Sequence, residues 1–327
     1  MATPRELRFC WWNVQDFAHF DANRVGYEGR WPFSPDQYAE KRRRVEAAFD
    51  AMFGADLPDL IGLCEITKAA AEELQRRRFP DHELVLGEPA EPLAFQVAML
   101  IRRDRALTAR SPILVEDGTA ETRPMCVVDH RTRIAHTRFI ACHWMAFEEP
   151  KSDELRGRSA DSLRREIYEF MVPRRPTSTP RHVVVFGDFN AEPHDGHFGM
   201  KLSASRDRDH ARKRTHHTDG AVSRTRLYGC GWRLLGEEEP HGGRVPSARR
   251  AGTYFGAKLG EWRTYDHVLV TGELLTGQPP YFDESMLLIR SEVGNLADGK
   301  PAKFAFENGI GTGLSDHYPL SGRIVLA

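Results

Sequence analysis

The stretch Val183-Val184-Val185-Phe186-Gly187-Asp188-Phe189-Asn190 decides how this chain is read. Four strand-forming apolar residues end at a glycine, and an acid and an amide follow two positions apart. Side chains alternate along extended backbone, so Asp188 and Asn190 point the same way at the end of a buried strand. Gly187 leaves room for a close approach of backbone. An acceptor and an amide donor presented together suit a water nucleophile beside a phosphate. Taken alone, the same four residues also fit a turn capped by Asp and Asn, so the rest of the chain has to decide.

Other apolar runs end in the same way. Leu7-Arg8-Phe9-Cys10-Trp11-Trp12 runs into Asn13, and Leu60-Ile61-Gly62-Leu63-Cys64 runs into Glu65. Phe139-Ile140-Ala141-Cys142 ends at His143, and Asp266-His267 opens the run Val268-Leu269-Val270. Near the C-terminus, Asp316-His317 precedes a final strand. In this order, Asn13, Glu65, His143, Asp188, Asn190, Asp266, Asp316 and His317 resemble the endonuclease/exonuclease/phosphatase superfamily. That superfamily includes DNase I-like nucleases, AP endonucleases, deadenylases, inositol polyphosphate 5-phosphatases and neutral sphingomyelinases. The resemblance covers nearly the whole chain.

It implies an α/β (α+β) fold: a four-layer sandwich of two mostly antiparallel β-sheets flanked by helices, DNase I-like. The periodicity agrees, because strands and helices mix without regular βαβ alternation, which favours two packed sheets over a doubly wound one. Strand-like runs fall near 6–13, 59–66, 83–87, 95–101, 111–115, 124–129, 134–143, 182–188, 265–271, 284–290 and 318–326. Ser34-Pro35 followed by Gln37 predicts an N-cap, a proline at the first helical position and a capping-box partner. Thr67 opens a second helix through Leu74, and Leu155, Leu163, Ile167, Phe170 and Met171 mark a third that ends by Pro173. We read one domain over 1–327 with a basic insertion at about 201–226.

Composition bounds the function. Lys+Arg 46 against Asp+Glu 47 leaves no global basic field, so attraction to a polyanion has to come from a local patch. The five cysteines, an odd number without paired spacing, argue against a disulfide framework and against a zinc knuckle. Four of them fall in predicted strands, where cysteine acts as a small buried hydrophobe. A reducing, cytoplasmic location is expected, and no apolar run is long enough to span a bilayer. The segment 201–226 is rich in cations, with Arg212, Lys213 and Arg214 at its centre. It reads either as a solvated face or as a basic arm beside the catalytic mouth. A second segment, 237–263, mixes Arg244, Arg249, Arg250, Lys258 and Arg263 with Tyr254, Phe255 and Trp262, which suits phosphates and stacked bases and equally suits an ordinary surface loop. His210, His216, His217 and His241 are irregularly spaced among polar residues and read as surface histidines.

The resemblance also assigns roles. Glu65 is the prime ligand of Mg²⁺, with Mn²⁺ as a substitute, and Asn13 and Asp316 complete or orient the coordination. Hard oxygen donors suit such ions. His317 is the partner of the water or of the scissile phosphate, oriented by Asp266. Asp188 orients or deprotonates the water, Asn190 binds a phosphate oxygen, and His143 donates to a phosphate oxygen or to the leaving group. Arg123 stands where a phosphate-binding arginine is often placed. Some features depart from the patterns of particular branches. Gln15 replaces the acid that AP endonucleases carry two positions after the asparagine, and Cys64 replaces the glutamine before the metal glutamate. His267 follows Asp266 where inositol phosphatases carry Arg. The expected activity is Mg²⁺-dependent phosphodiester hydrolysis by a nuclease acting on DNA. The alternatives are a phosphoesterase of small-molecule or lipid substrates and a binding module that kept the fold.

Overall fold

The computed structural model describes residues 5–21, 33–87, 95–115, 122–146, 151–173, 179–213, 216–219, 222–236, 250–257, 260–293 and 299–327. The first half runs β1 (Glu6–Phe17), α1 (Pro35–Phe53), β2 (Leu60–Ile66), α2 (Lys68–Arg78), β3 (His82–Leu86) and β4 (Gln96–Arg102). It continues with β5 (Leu107–Ala109), β6 (Cys126–Arg131), β7 (His136–His143), α3 (Ser152–Met171) and β8 (Arg181–Asp188). The second half holds β9 (Ala204–Ser205), α4 (Arg208–Lys213), the hairpin β10 (His216–Asp219) and β11 (Val222–Thr225), then β12 (Leu227–Gly229). After these come the hairpin β13 (Tyr254–Gly256) and β14 (Glu261–Arg263), β15 (Asp266–Thr271), β16 (Tyr281–Phe282) and β17 (Leu288–Ile289). The hairpin β18 (Ala305–Glu307) and β19 (Ile310–Thr312) and the final β20 (Leu320–Val325) complete the chain.

Two seven-stranded mixed sheets form the body. One has the order β16-β20-β1-β2-β4-β3 with β17 also on β20, and the other has the order β5-β6-β7-β8-β15-β12-β9. Each has a parallel pair at its centre, β1–β2 and β7–β8, with antiparallel neighbours β20 and β15. Side-chain parity sorts the residues into layers. Leu7, Phe9 and Trp11 of β1, Phe139 and Ala141 of β7, Val184 and Phe186 of β8, and Val268 and Val270 of β15 share one core between the sheets. The alternate residues Cys10, Trp12 and Val14 face α1 and α2. Val183, Val185, Ile140 and Leu269 face α3. The result is the four-layer, DNase I-like sandwich expected from the sequence.

Helix α1 starts where its capping box predicts: Ser34 Oγ accepts from Gln37 N at 3.2 Å, and Gln37 Oε1 accepts from Ser34 N at 2.8 Å. Two expected strands differ. The run 111–115 is reduced to a single bridge between Ile113 and Met125, because Pro112 has no N–H to continue a ladder. The run 284–290 begins instead as a short turn at Glu284–Met286, with Asp283 Oδ1 accepting from Ser285 N, and only Leu288–Ile289 pairs. Of the described part of 201–226, β9 joins the second sheet beside β12, while β10 and β11 pair only with each other and are anchored to α3 through Arg164, which donates to Ser223 O. Among the described residues, no helix is long and apolar enough to cross a membrane.

Gly187 holds the centre of the second sheet close. An added Cβ would sit 2.6 Å from Cys142 Sγ and closer still to the Cys142 carbonyl oxygen. Gly187→Ala therefore has to push β7 from β8, and we expect it to cost about 1–3 kcal/mol of stability by urea denaturation. An unchanged unfolding midpoint would contradict the close approach.

Candidate active site

The same parity that builds the inter-sheet core places polar groups at its end. Asn13 of β1, His143 of β7, Asp188 of β8 and Asp266 of β15 all occupy inward positions where the apolar stripe runs out. Asp188 lies opposite both His143 and Asp266 in the strand registers. Parity alone would turn Glu65 outward. Instead, a break in register between Cys64 and Ile66 and a left-handed backbone at Glu65 (φ 56°) swing its carboxylate in. Gln15, Asp16 and Asn190 are also left-handed, at φ 45°, 52° and 47°. Such conformations are costly for residues with a side chain, and they persist only where surrounding contacts over-determine them.

Asn13 is the hub. Its Nδ2 donates to Glu65 Oε1 at 3.0 Å and to Asp188 Oδ2 at 2.9 Å, while its Oδ1 accepts from Gln15 N. In this geometry Asn13 orients two carboxylates. Glu65 Oε2 accepts from Asp16 N at 3.0 Å, and Asp188 Oδ1 accepts from Asn190 N at 2.9 Å. The Asn190 amide is held by Trp144 O at 3.0 Å. Trp11 Nε1 donates to Asp266 Oδ1 at 2.8 Å, and Asp266 Oδ2 pairs with His317 Nδ1 at 2.8 Å. His317 Nε2 then faces Asp188 Oδ2 at 3.8 Å. His143 Nε2 lies 3.6 Å from Asp188 Oδ2 and 3.8 Å from Glu65 Oε1. The backbone around His317 is fixed to β1, since Ser315 Oγ donates to Asn13 O and Trp12 Nε1 donates to His317 O.

The electrostatics follow from burial and crowding. Burial alone would lower the basicity of His317, but Asp266 and Asp188 outweigh it and raise its imidazole to about 10. Burial pushes the Asp188 carboxyl up to about 7 against the opposing pull of His317. His143 is held well below its ordinary value by burial, with Arg123 and His317 adding to the effect. Arg123 therefore stands within electrostatic reach of His143.

Asp316 pairs with Lys303, whose Nζ lies 3.2 Å from its Oδ2, and its charge reaches Asp16 and His317. Among the described residues of the basic segment, Arg212 and Lys213 of α4 are not brought in. Helix α4 packs on Gly272, where an added Cβ would strike the Ala211 carbonyl, and Gly272 follows β15 at the end away from Asp266. Six residues of strand, roughly 20 Å, separate the two ends. Arg214 lies outside the described residues, as do Arg244, Arg249, Lys258 and His241.

Two residues that sequence reasoning missed complete the site. Asp16 supplies the acid that Gln15 lacks, one position late, across the irregularity between Asn13 and Phe17. Burial, followed by Glu65, pushes its carboxyl up to about 6. Lys41 of α1 is fully buried and donates to Leu314 O. Burial pulls its ammonium down to about 7 against the raising fields of Asp16, Asp316 and Glu65. Its signal was spacing, for Lys41 stands in the helical stripe Tyr38, Val45, Phe49, Met52 that otherwise faces the core.

A divalent cation fits this donor set. Asp188, Asp266 and His317 bring ligand atoms within 4.8 Å of one another, Asn13 links Glu65 to Asp188, and the charges of Glu65 and Asp316 both reach Asp16, so carboxylate oxygens of the kind that hard cations take gather at this end of the sheets.

The fold and the site together define a phosphoesterase. The chain belongs to the endonuclease/exonuclease/phosphatase family, whose model matches residues 10–317. Comparison with curated proteins returns no match. Solved structures that resemble the chain share its fold at low identity. A mannosyl-6-phosphatase from Bacteroides thetaiotaomicron superposes with TM-score 0.56 at 11% identity, covering 98% of this chain and 100% of that one. TDP2 from D. rerio, complexed with a single-strand DNA product, superposes with TM-score 0.54 at 12% identity over 98% of both chains. The human nocturnin catalytic domain with bound sulfate gives TM-score 0.50 at 15% identity, over 98% and 95%.

Replacing Lys41 with Met keeps the stem and removes the ammonium from the Leu314 carbonyl. We expect a loss of about 1–3 kcal/mol in urea unfolding. A variant as stable as the parent would show that Lys41 does not hold the 314–317 segment.

Proposed function

We propose that this protein is a divalent-cation-dependent phosphodiesterase that acts on nucleic acid, with DNA as its substrate. The reading is carried by one observation: the Tyr254 ring lies 4.8 Å from the His317 ring and stacks on Tyr265 at 5.2 Å. An aromatic platform beside the reacting centre suits a nucleobase, and base–aromatic stacking contributes about 1–3 kcal/mol per base. Phe255 and Trp262 of the same hairpin pack against each other on its other face, and Trp262 rests on the inter-sheet core.

In this reading Asp188 positions the attacking water and takes its proton. His317, its Nδ1–H fixed on Asp266, presents Nε2 to the scissile phosphate, where a cationic imidazole stabilises the charge that develops. His143 and Asn190 face the phosphate oxygens or the leaving oxygen, and Arg123 adds positive charge. Glu65 would hold Mg²⁺ or Mn²⁺ with Asp316, Asn13 orienting the carboxylates. When bound, the ion neutralises phosphate charge and assists departure of the leaving oxygen. All five cysteines are free and buried, which supports a reducing, cytoplasmic setting.

The placement of α4 favours a second reading, a small phosphate ester as substrate, because Arg212 and Lys213 offer no phosphate track at this mouth. Plasmid nicking with and without EDTA, run beside a panel of sugar phosphates and other phosphomonoesters, separates the two. We expect EDTA-sensitive nicking that Glu65→Gln reduces by more than about 100-fold, the upper range for loss of a metal site's outer partners. Turnover of a phosphomonoester without nicking would replace the nucleic-acid reading. Full activity in Glu65→Gln would remove Glu65 from the metal site.

A further inference from the structure

Strand parity places a further inward group beside Asn13, His143, Asp188 and Asp266, and that group is a thiol. Cys64 of β2 is fully buried at the floor of the site, in the inter-sheet layer, directly preceding Glu65. Its Sγ, a ring nitrogen of His143 and a carboxylate oxygen of Asp188 all lie within 4.8 Å of one another. His143 is 4% exposed, and its Nε2, 3.6 Å from Asp188 Oδ2, is the ring nitrogen that faces the cluster.

We propose that Cys64, His143 and Asp188 form a site for a thiophilic divalent cation, Zn²⁺ in particular, adjoining Glu65 but with a different donor set. One thiolate, one imidazole and one carboxylate are the donors that Zn²⁺ takes in four-coordinate sites, with water completing the shell. Mg²⁺ prefers oxygen ligands and has little affinity for this set. Bond lengths of about 2.0–2.3 Å put tetrahedral ligands roughly 3.3–3.7 Å apart, so the three donors need to close by about 1 Å. Entry is from the mouth, past Glu65, whose side chain is 23% exposed. On coordination the Cys64 thiol gives up its proton to solvent. Zn²⁺ held here would occupy Asp188 and His143 together, so the ion would inhibit any reaction that uses them, and a chelator would restore it.

Binding tests the site independently of the reaction. Titration of the metal-free protein with Co²⁺ should give one equivalent bound, with a near-ultraviolet thiolate-to-cobalt charge-transfer band that Zn²⁺ abolishes by displacement. Cys64→Ala should remove the band and weaken Zn²⁺ binding by at least about tenfold. X-ray absorption at the zinc edge of the Zn²⁺-loaded parent needs no variant, and should show one sulfur among nitrogen and oxygen neighbours. A titration without the band, a band that survives in Cys64→Ala, or a zinc environment without sulfur would overturn the proposal.

Discussion

The Asp266 carboxylate ties the two sheets together at the site. It stands at the start of β15 in the second sheet, and both of its oxygens are taken by groups of the first: the Trp11 indole from β1 and the His317 imidazole from the turn before β20. A buried carboxylate is tolerable only when its oxygens are satisfied and a positive charge stands close by. Both conditions are met only while the sheets keep their spacing and register. The pair therefore fixes the distance across the inter-sheet layer, and with it the 3.8 Å between His317 and Asp188.

The rest of the site follows from where the inter-sheet core stops. Both central parallel pairs finish at the same end, and their antiparallel neighbours begin there, so six strand ends deliver side chains into one corner. Period-two alternation sends Asn13, His143, Asp188 and Asp266 inward without further instruction. Glu65 and Asp16 break that alternation and require left-handed backbone to enter. The strain is held by hydrogen bonds of the site itself, above all Asp16 N to Glu65 Oε2. Lys41 offsets the resulting negative charge from the helix layer beneath. Rigidity and charge are thus arranged before any substrate arrives, as electrostatic preorganisation requires.

Much of this was legible in the sequence. The alternating strands and the capping box of α1 express local rules, and local rules survive folding, whereas the order of Asn13, Glu65, His143, Asp188, Asp266 and His317 was read through the resemblance to the family. What escaped depends on backbone irregularity or on distant packing. Nothing in Gln15-Asp16 announces that the chain bulges and delivers the later acid, since no glycine marks the turn. Lys41 was visible as a cation in an apolar stripe, yet its partner Leu314 is far away in sequence. The cations of α4 read as an arm because composition shows charge without place. Their position is set by the close packing of Ala211 on Gly272, a contact that spacing does not reveal.

The cross-sheet pair is open to direct measurement. Proton NMR of the metal-free protein should show a low-field resonance from the His317 Nδ1–H bonded to Asp266. It should be absent in His317→Gln and Asp266→Ala and retained in Glu65→Gln, which leaves the pair in place. A spectrum without such a resonance, or one in which it survives Asp266→Ala, would contradict the account.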